Sequence, residues 1–184
     1  MTSAILDATY TELAEGGYAA LTIDAVAERA GVHRASIYRR WPDKEALLVD
    51  ALLAWAAVEV PLPDAGSLEA DLRSLLHSIA ANLAQPVTRA LLRVAAAESE
   101  SSADIARIAR AFWSQRIRRA AGLVTRAQER GEVVRAVDPE RFIETLIAPL
   151  FLRLLVTGQE ADSAFADQLV DDALRAIRGT ETAV

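Results

Sequence analysis

The sequence predicts an all-α protein: a three-helix head containing a helix-turn-helix, joined to a larger C-terminal helical bundle, about nine helices in all. Three observations carry that reading. Gly and Pro are sparse, 8 and 6 of 184 residues, and they fall between segments whose apolar residues recur at helical spacing. No run of Val, Ile or Thr alternates in the way a half-buried strand requires. Hydrophobic residues make up 52% of the chain, enough for a substantial core.

The first helix is predicted over about Ser3 to Glu15, with Ile5, Ala8, Tyr10 and Leu13 on its apolar side, and Gly16-Gly17 should stop it. Leu21-Thr22 leads into a short helix near Asp24 to Ala30, for which Thr22 is a suitable N-cap. Gly31 then permits a tight turn, and a third short helix covers about Arg34 to Arg40. Pro42-Asp43 breaks it and starts a fourth, Lys44 to about Val58, whose Leu47, Leu48, Ala51, Leu52 and Trp55 point inward. Pro61 to Gly66 is a linker. Beyond it, helices are expected at about 68–83, 87–97, 104–130, 140–156 and 164–177, punctuated by Pro86, Ser99–Ser102, Gly131, Pro139 and Gly158. The division expected is residues 1–48 as a helix-turn-helix domain, linked through the helix at 44–58, and residues 49–184 as a second helical domain.

Composition narrows the function. There is no cysteine, so disulfides and thiolate metal sites are excluded, and His33 and His77 alone cannot build a histidine metal cage. No metal or cofactor is expected. MTSAILDATY lacks the basic-then-apolar order of a signal peptide, and Ile147 to Leu152 is too short to span a bilayer. A cytoplasmic protein with no membrane partner is the expectation. An enzyme finds no support, because the chain has no cysteine nucleophile, metal-ligand cluster, glycine-rich phosphate loop or Gly-x-Ser-x-Gly elbow.

Charge points elsewhere. Formal net charge is −6, yet Arg29, Arg34, Arg39, Arg40 and Lys44 face only Asp43 between residues 29 and 44, so that segment carries 5 − 1 = +4. A polyanion meets the local face rather than the sum. Two short helices joined at a glycine, the second one basic, have the order of a helix-turn-helix. On an ideal wheel of about 100° per residue, Ile37 and Trp41 fall together and would pack inward with Val26, Ala27 and Val32. Ala35, Ser36 and Arg39 then point outward, with Tyr38 and Arg40 beside them and Arg34 at the helix start. Small residues at 35 and 36 allow close approach to a duplex, and arginine suits bidentate contact with guanine. Tyr38 offers a hydroxyl to phosphate, and Lys44 adds charge at a helix N-terminus. On charge pattern alone a merely solvated basic face stays open.

The segment LTIDAVAERAGVHRASIYRRWPDKEALLVDAL, Leu21 to Leu52, resembles the DNA-binding domain of TetR-family transcriptional regulators in its Leu-Thr opening, its Ala-Gly-Val turn, its Tyr ahead of an aromatic and its Lys-Glu-x-Leu-Leu. RGEVVRAVDPERFIETLIAPLFLRLLVTGQE, Arg130 to Glu160, is similar to the C-terminal domain of one broad subgroup of that family. By position, the resemblance implies DNA contact at Thr22, His33, Arg34, Ala35, Ser36, Tyr38, Arg39, Arg40 and Lys44. Thr22, Tyr38 and Lys44 match the usual phosphate-contacting types, and the others fall at variable, sequence-reading places. His33 is equally suited to capping the recognition helix. Trp41 stands where Phe is more frequent. Only Met1-Thr2-Ser3 precedes Ala4, which argues against a basic arm in the minor groove.

The resemblance also implies a homodimer and a small-molecule site in the C-terminal bundle. The residues support the dimer on their own. Phe142, Leu146, Leu150 and Leu154 form one stripe of the helix from Glu140, while Ile143, Ile147, Phe151 and Leu155 form the next, so this helix should be buried twice. Leu169, Ala173 and Ile177 extend the dimer face on the last helix, and Pro149 should kink the one before it. Trp55, His77, Trp113, Arg116 and Phe151 are the pocket candidates, although His77 shares a face with Arg73 and reads as solvated. Arg110, Arg116, Arg118 and Arg119 read as an exposed face. The function expected is a homodimeric, ligand-responsive regulator, a repressor by family tendency, that binds a palindrome-like operator in double-stranded DNA. The alternative is a DNA-binding regulator with no small-molecule effector.

Overall fold

A computed structural model of the chain describes residues 1–58 and 62–179. Among them are nine α-helices and no strand: α1 (Thr2–Ala20), α2 (Ile23–Ala30), α3 (Arg34–Tyr38), α4 (Lys44–Ala56), α5 (Leu68–Ala84), α6 (Pro86–Glu98), α7 (Ala103–Glu129), α8 (Pro139–Leu152) and α9 (Ser163–Gly179). A π turn, Arg153–Thr157, follows α8. The all-α expectation and the helix count are met. Pro61, the first residue of the expected linker, lies outside the described residues.

The helices start where side chains satisfy their first amides. Thr22 Oγ1 accepts from Ala25 N–H at 3.1 Å, His33 Nδ1 from Ala35 N–H at 3.3 Å and Asp43 Oδ1 from Ala46 N–H at 2.8 Å. Pro86 and Pro139 occupy the first turns of α6 and α8, where the missing N–H costs nothing. Gly31 ends α2 in the left-handed region, φ 65°, and Val32 N–H closes back onto Ala27 O at 3.0 Å. Nothing lies within 4 Å of a Cβ built on Gly31, so only its backbone demands glycine. Gly31→Ala is therefore expected to lower stability by about 1 kcal/mol, read as a shift of the urea midpoint at unchanged slope.

Three boundaries differ from expectation. Gly17 leaves helical geometry, φ 68° and ψ −176°, yet the turn re-forms and α1 runs on to Ala20, so the glycine pair breaks the helix without ending it. The third helix ends at Tyr38, and Arg39 and Arg40 lie in the turn beyond it. Regular α8 ends at Leu152 rather than near Val156, and the last expected turn is the π turn Arg153–Thr157, shortly after Pro149.

The residues group into two compact units. One comprises α1 to α4, α6 and the start of α7 up to Phe112. Its core gathers Ile5 and Leu13 of α1, Val26 of α2, Ile37 of α3, Leu47 and Leu48 of α4, Leu91 of α6 and Ile105 of α7. Tyr10 donates its hydroxyl to Ala51 O at 2.9 Å, tying α1 to α4. The other unit comprises α5, α7 from Trp113, α8 and α9. There Leu72, Leu123, Ile143, Leu150 and Val170 are fully buried. Asp71, also fully buried, accepts from Ala65 N–H at 2.7 Å, and Glu132 accepts from Leu68 N–H at 2.7 Å, so two carboxylates anchor the segment before α5. The Leu68 amide, and after it Arg130, hold the Glu132 carboxyl below its ordinary pKa.

Candidate nucleic-acid interface

An exposed, basic ridge is built by burying one side of α3. Ile37 and Trp41 are 0% and 2% exposed, as the helical wheel requires, and Val26 and Ala27 are buried in the same core. That orientation leaves His33, Arg34, Ala35, Tyr38, Arg39 and Arg40 exposed in one short run, with Ser36 partly covered. Thr22 is exposed and Lys44 half-buried. All nine nominated residues are surface-accessible and belong to the same compact unit.

Their local chemistry differs. Thr22 caps α2 through its oxygen and keeps its hydroxyl proton for another acceptor. His33 caps α3 through Nδ1, which leaves Nε2–H as the outward donor. Arg34 pairs loosely with Asp24, 3.8 Å apart and both exposed, a contact worth little in water. Arg39 and Tyr38 make no side-chain hydrogen bond or ion pair among the described residues. Lys44 donates to Tyr18 O at 3.3 Å, with its ammonium 4.4 Å from the Tyr18 ring centroid. Burial, then Glu98, Glu45 and Asp43, push the Tyr18 phenol above its ordinary pKa.

Arg29 must be removed from the basic cluster that the sequence suggested. Its guanidinium meets Glu12 at 2.6 Å and Glu15 at 2.5 Å, both on α1. It joins two helices of the head rather than offering charge to a partner. Local sequence counting cannot see this, because the acids lie 17 and 14 positions away.

Sequence reasoning missed Asp50 and Thr2. Trp41 donates its indole N–H to Asp50 Oδ2 at 2.8 Å, a bond the more frequent Phe could not make. Arg40 lies 3.9 Å from that same carboxylate oxygen, donates to Thr2 Oγ1 at 2.9 Å, and sits 4.9 Å from the Trp41 ring centroid. The signal available was Trp in place of Phe, which calls for an acceptor.

The pocket candidates separate into several settings. Trp55 stacks on Phe112 at 4.9 Å, and Trp113 meets Phe151 edge-on at 4.6 Å. Arg116 is half-buried on α7, as is Arg119, whereas Arg110 and Arg118 are exposed. His77 is 44% exposed in its side chain and contacts Asp167 at 3.0 Å, beside Arg73, which also binds Glu69 and Asp171. Arg73 first, and then His77, keep the Asp167 carboxyl below its ordinary pKa. His77 thus belongs to a surface ion network between α5 and α9.

On α8 and α9, Phe142, Leu146, Leu169, Ala173 and Ile177 line an open groove of about 420 Å³. Leu150 and Leu154, assigned to the same face, are 0% and 6% exposed within one protomer, so they fill its own core. Leu152, Leu155 and Val156 are the exposed apolar residues at that end of the helix.

Residues 5–51 match the family model described as bacterial regulatory proteins, tetR family, and residues 62–173 the one described as tetracyclin repressor-like, C-terminal domain. The chain belongs to the TetR family. Two relatives span nearly its whole length. The uncharacterized HTH-type transcriptional regulator YdeS of Bacillus subtilis is 34% identical, over 96% of this chain and 89% of that protein. The HTH-type transcriptional regulator AqdR of Rhodococcus erythropolis is 33% identical, over 90% and 80%. The crystal structure of a TetR transcriptional regulator from Agrobacterium tumefaciens superposes with TM-score 0.77 at 28% identity, covering 95% of this chain and 92% of that one. This TetR-family protein is accordingly a helix-turn-helix transcriptional regulator, and the relatives it matches are regulators rather than enzymes. Among the described residues no helix is long and apolar enough to cross a membrane.

Proposed function

We propose that the protein is a cytoplasmic, homodimeric, effector-responsive repressor, with residues 1–48 reading DNA and residues 49–184 forming the effector-binding and dimerisation part. The observation that carries this reading is the ridge His33 to Arg40, which buries Ile37 and turns its polar and cationic side chains outward. Two such ridges would enter successive major grooves of a palindrome-like operator, about 34–36 Å apart. The α8–α9 groove and exposed Leu152, Leu155 and Val156 support pairing of two copies there. Repression is supported by the name of one relative, the HTH-type transcriptional repressor KstR of Mycolicibacterium smegmatis, 52% identical over 48 residues, 26% of this chain.

In this reading α4 carries the effector's influence, since it bears Lys44 at one end and Trp55 near the other. A ligand can drive release only as far as it prefers the non-binding state. Selection of tight-binding duplexes from a random pool tests the function. Two-fold related half-sites about one helical turn apart should emerge, with affinity falling steeply as salt rises. Lys44→Ala is expected to weaken selected and random duplexes alike and to lower the salt slope by about two, one for each copy in the dimer. Failure to enrich any sequence, together with binding that ignores salt, overturns the proposal.

A further inference from the structure

Arg39 and Arg40 are adjacent in sequence, but the fold treats them differently. Arg39 continues the outward line of Ala35 and Ser36 and is exposed, and its side chain makes no hydrogen bond or ion pair among the described residues. Arg40 has three neighbours: it donates to Thr2 at the start of α1, lies 3.9 Å from the Asp50 carboxylate on α4, and sits 4.9 Å from the Trp41 ring centroid. Asp50 is itself fixed, because the buried Trp41 indole donates to the same oxygen that faces Arg40. We propose that Asp50 is a positioning residue that holds Arg40 as a sequence-independent phosphate clamp, leaving Arg39 as the arginine that reads a base edge. The inference rests on the DNA-reading role proposed above and assigns the division of labour within it.

The physical argument concerns reach and freedom. A guanidinium anchored to α1 and α4 lies against the body of the head and cannot extend along the groove floor without leaving its partners. It still has donors to spare after Thr2, in a planar fork that matches a phosphate. Anchoring also removes rotamer freedom before DNA arrives, so less is lost on contact. Arg39 keeps that freedom, which reading a base edge beyond the helix end requires. Thr2, outside the nine residues nominated from sequence, becomes part of the clamp.

The test compares one selected duplex with a random duplex of equal length, at about 0.15 M salt. Arg40→Ala is expected to weaken both by one common factor and to lower the salt slope by about two, one for each copy in the dimer. Arg39→Ala is expected to cut the selected-to-random ratio about tenfold or more. Asp50→Asn keeps an acceptor for the Trp41 indole. It should weaken both duplexes in parallel by a few-fold while Arg40 is present, and change neither in an Arg40→Ala background. Arg40→Lys covers the event that the alanine variant misfolds: a phosphate clamp tolerates it with both affinities falling together, whereas a base reader loses its ratio. A ratio that falls in either Arg40 variant, or an Asp50→Asn effect that survives without Arg40, overturns the assignment. Wild-type protein that binds no selected duplex instead removes the DNA-reading function itself.

Discussion

Trp41→Ala should remove about 3–5 kcal/mol of stability, the usual cost of truncating a large aromatic in a core. Trp41 is 2% exposed and packs with Val26, Ile37 and Leu47 where α2, α3 and α4 meet. The substitution opens a cavity and also strips Asp50 of the indole N–H at 2.8 Å. Against a typical domain stability of about 5–15 kcal/mol, a loss of that size leaves the head marginal at growth temperature. Urea unfolding followed by circular dichroism measures it, and DNA binding should fall in step with the folded fraction. Trp41→Phe keeps most of the volume and gives up chiefly the hydrogen bond, so it should cost only about 1 kcal/mol. Equal losses for the two variants would mean that packing around the ring matters less than the indole contact.

Ala173→Arg is expected to split the proposed dimer and to reduce operator affinity by about 10²–10⁴-fold, because linked half-site contacts act at high effective concentration and single ones do not. Ala173 lies with Leu169 and Ile177 on the groove side of α9, while Ala166, Val170 and Leu174 on the neighbouring stripe hold the helix to its own unit. The variant therefore places a charge in the shared face and leaves the protomer core untouched. Sedimentation velocity and gel shift report the two effects together. A dimer that survives with undiminished operator affinity would move the interface elsewhere on the molecule.

Much of the fold was legible because local chemistry and tertiary packing agree. Thr22, Asp43, Pro86 and Pro139 begin helices where their side chains or rings require. The wheel through Ile37 and Trp41 puts both inward, as they are in the fold, since an amphipathic helix has one way to hide two large apolar side chains. What stayed illegible is long-range. Helical spacing shows two apolar stripes on α8 and cannot tell which faces inward; the fold buries most of both, Leu146, Leu150 and Leu154 as well as Ile143 and Ile147, and leaves Leu155 exposed. Arg29 looks like its basic neighbours until Glu12 and Glu15 are brought to it. Gly17 reads as a helix stop, yet a single left-handed residue lets the helix resume. Asp50 stands in a helix of ordinary composition, and only the folded chain brings it between Trp41 and Arg40.

Pairing Arg29 with two glutamates has a consequence for how the protein travels through a crowded chromosome. It trims the positive charge to a narrow strip on a molecule of formal net charge −6, so that most encounters with a duplex are repulsive and brief. Millions of irrelevant sites then sequester few molecules, and modest numbers per cell can keep a single target occupied.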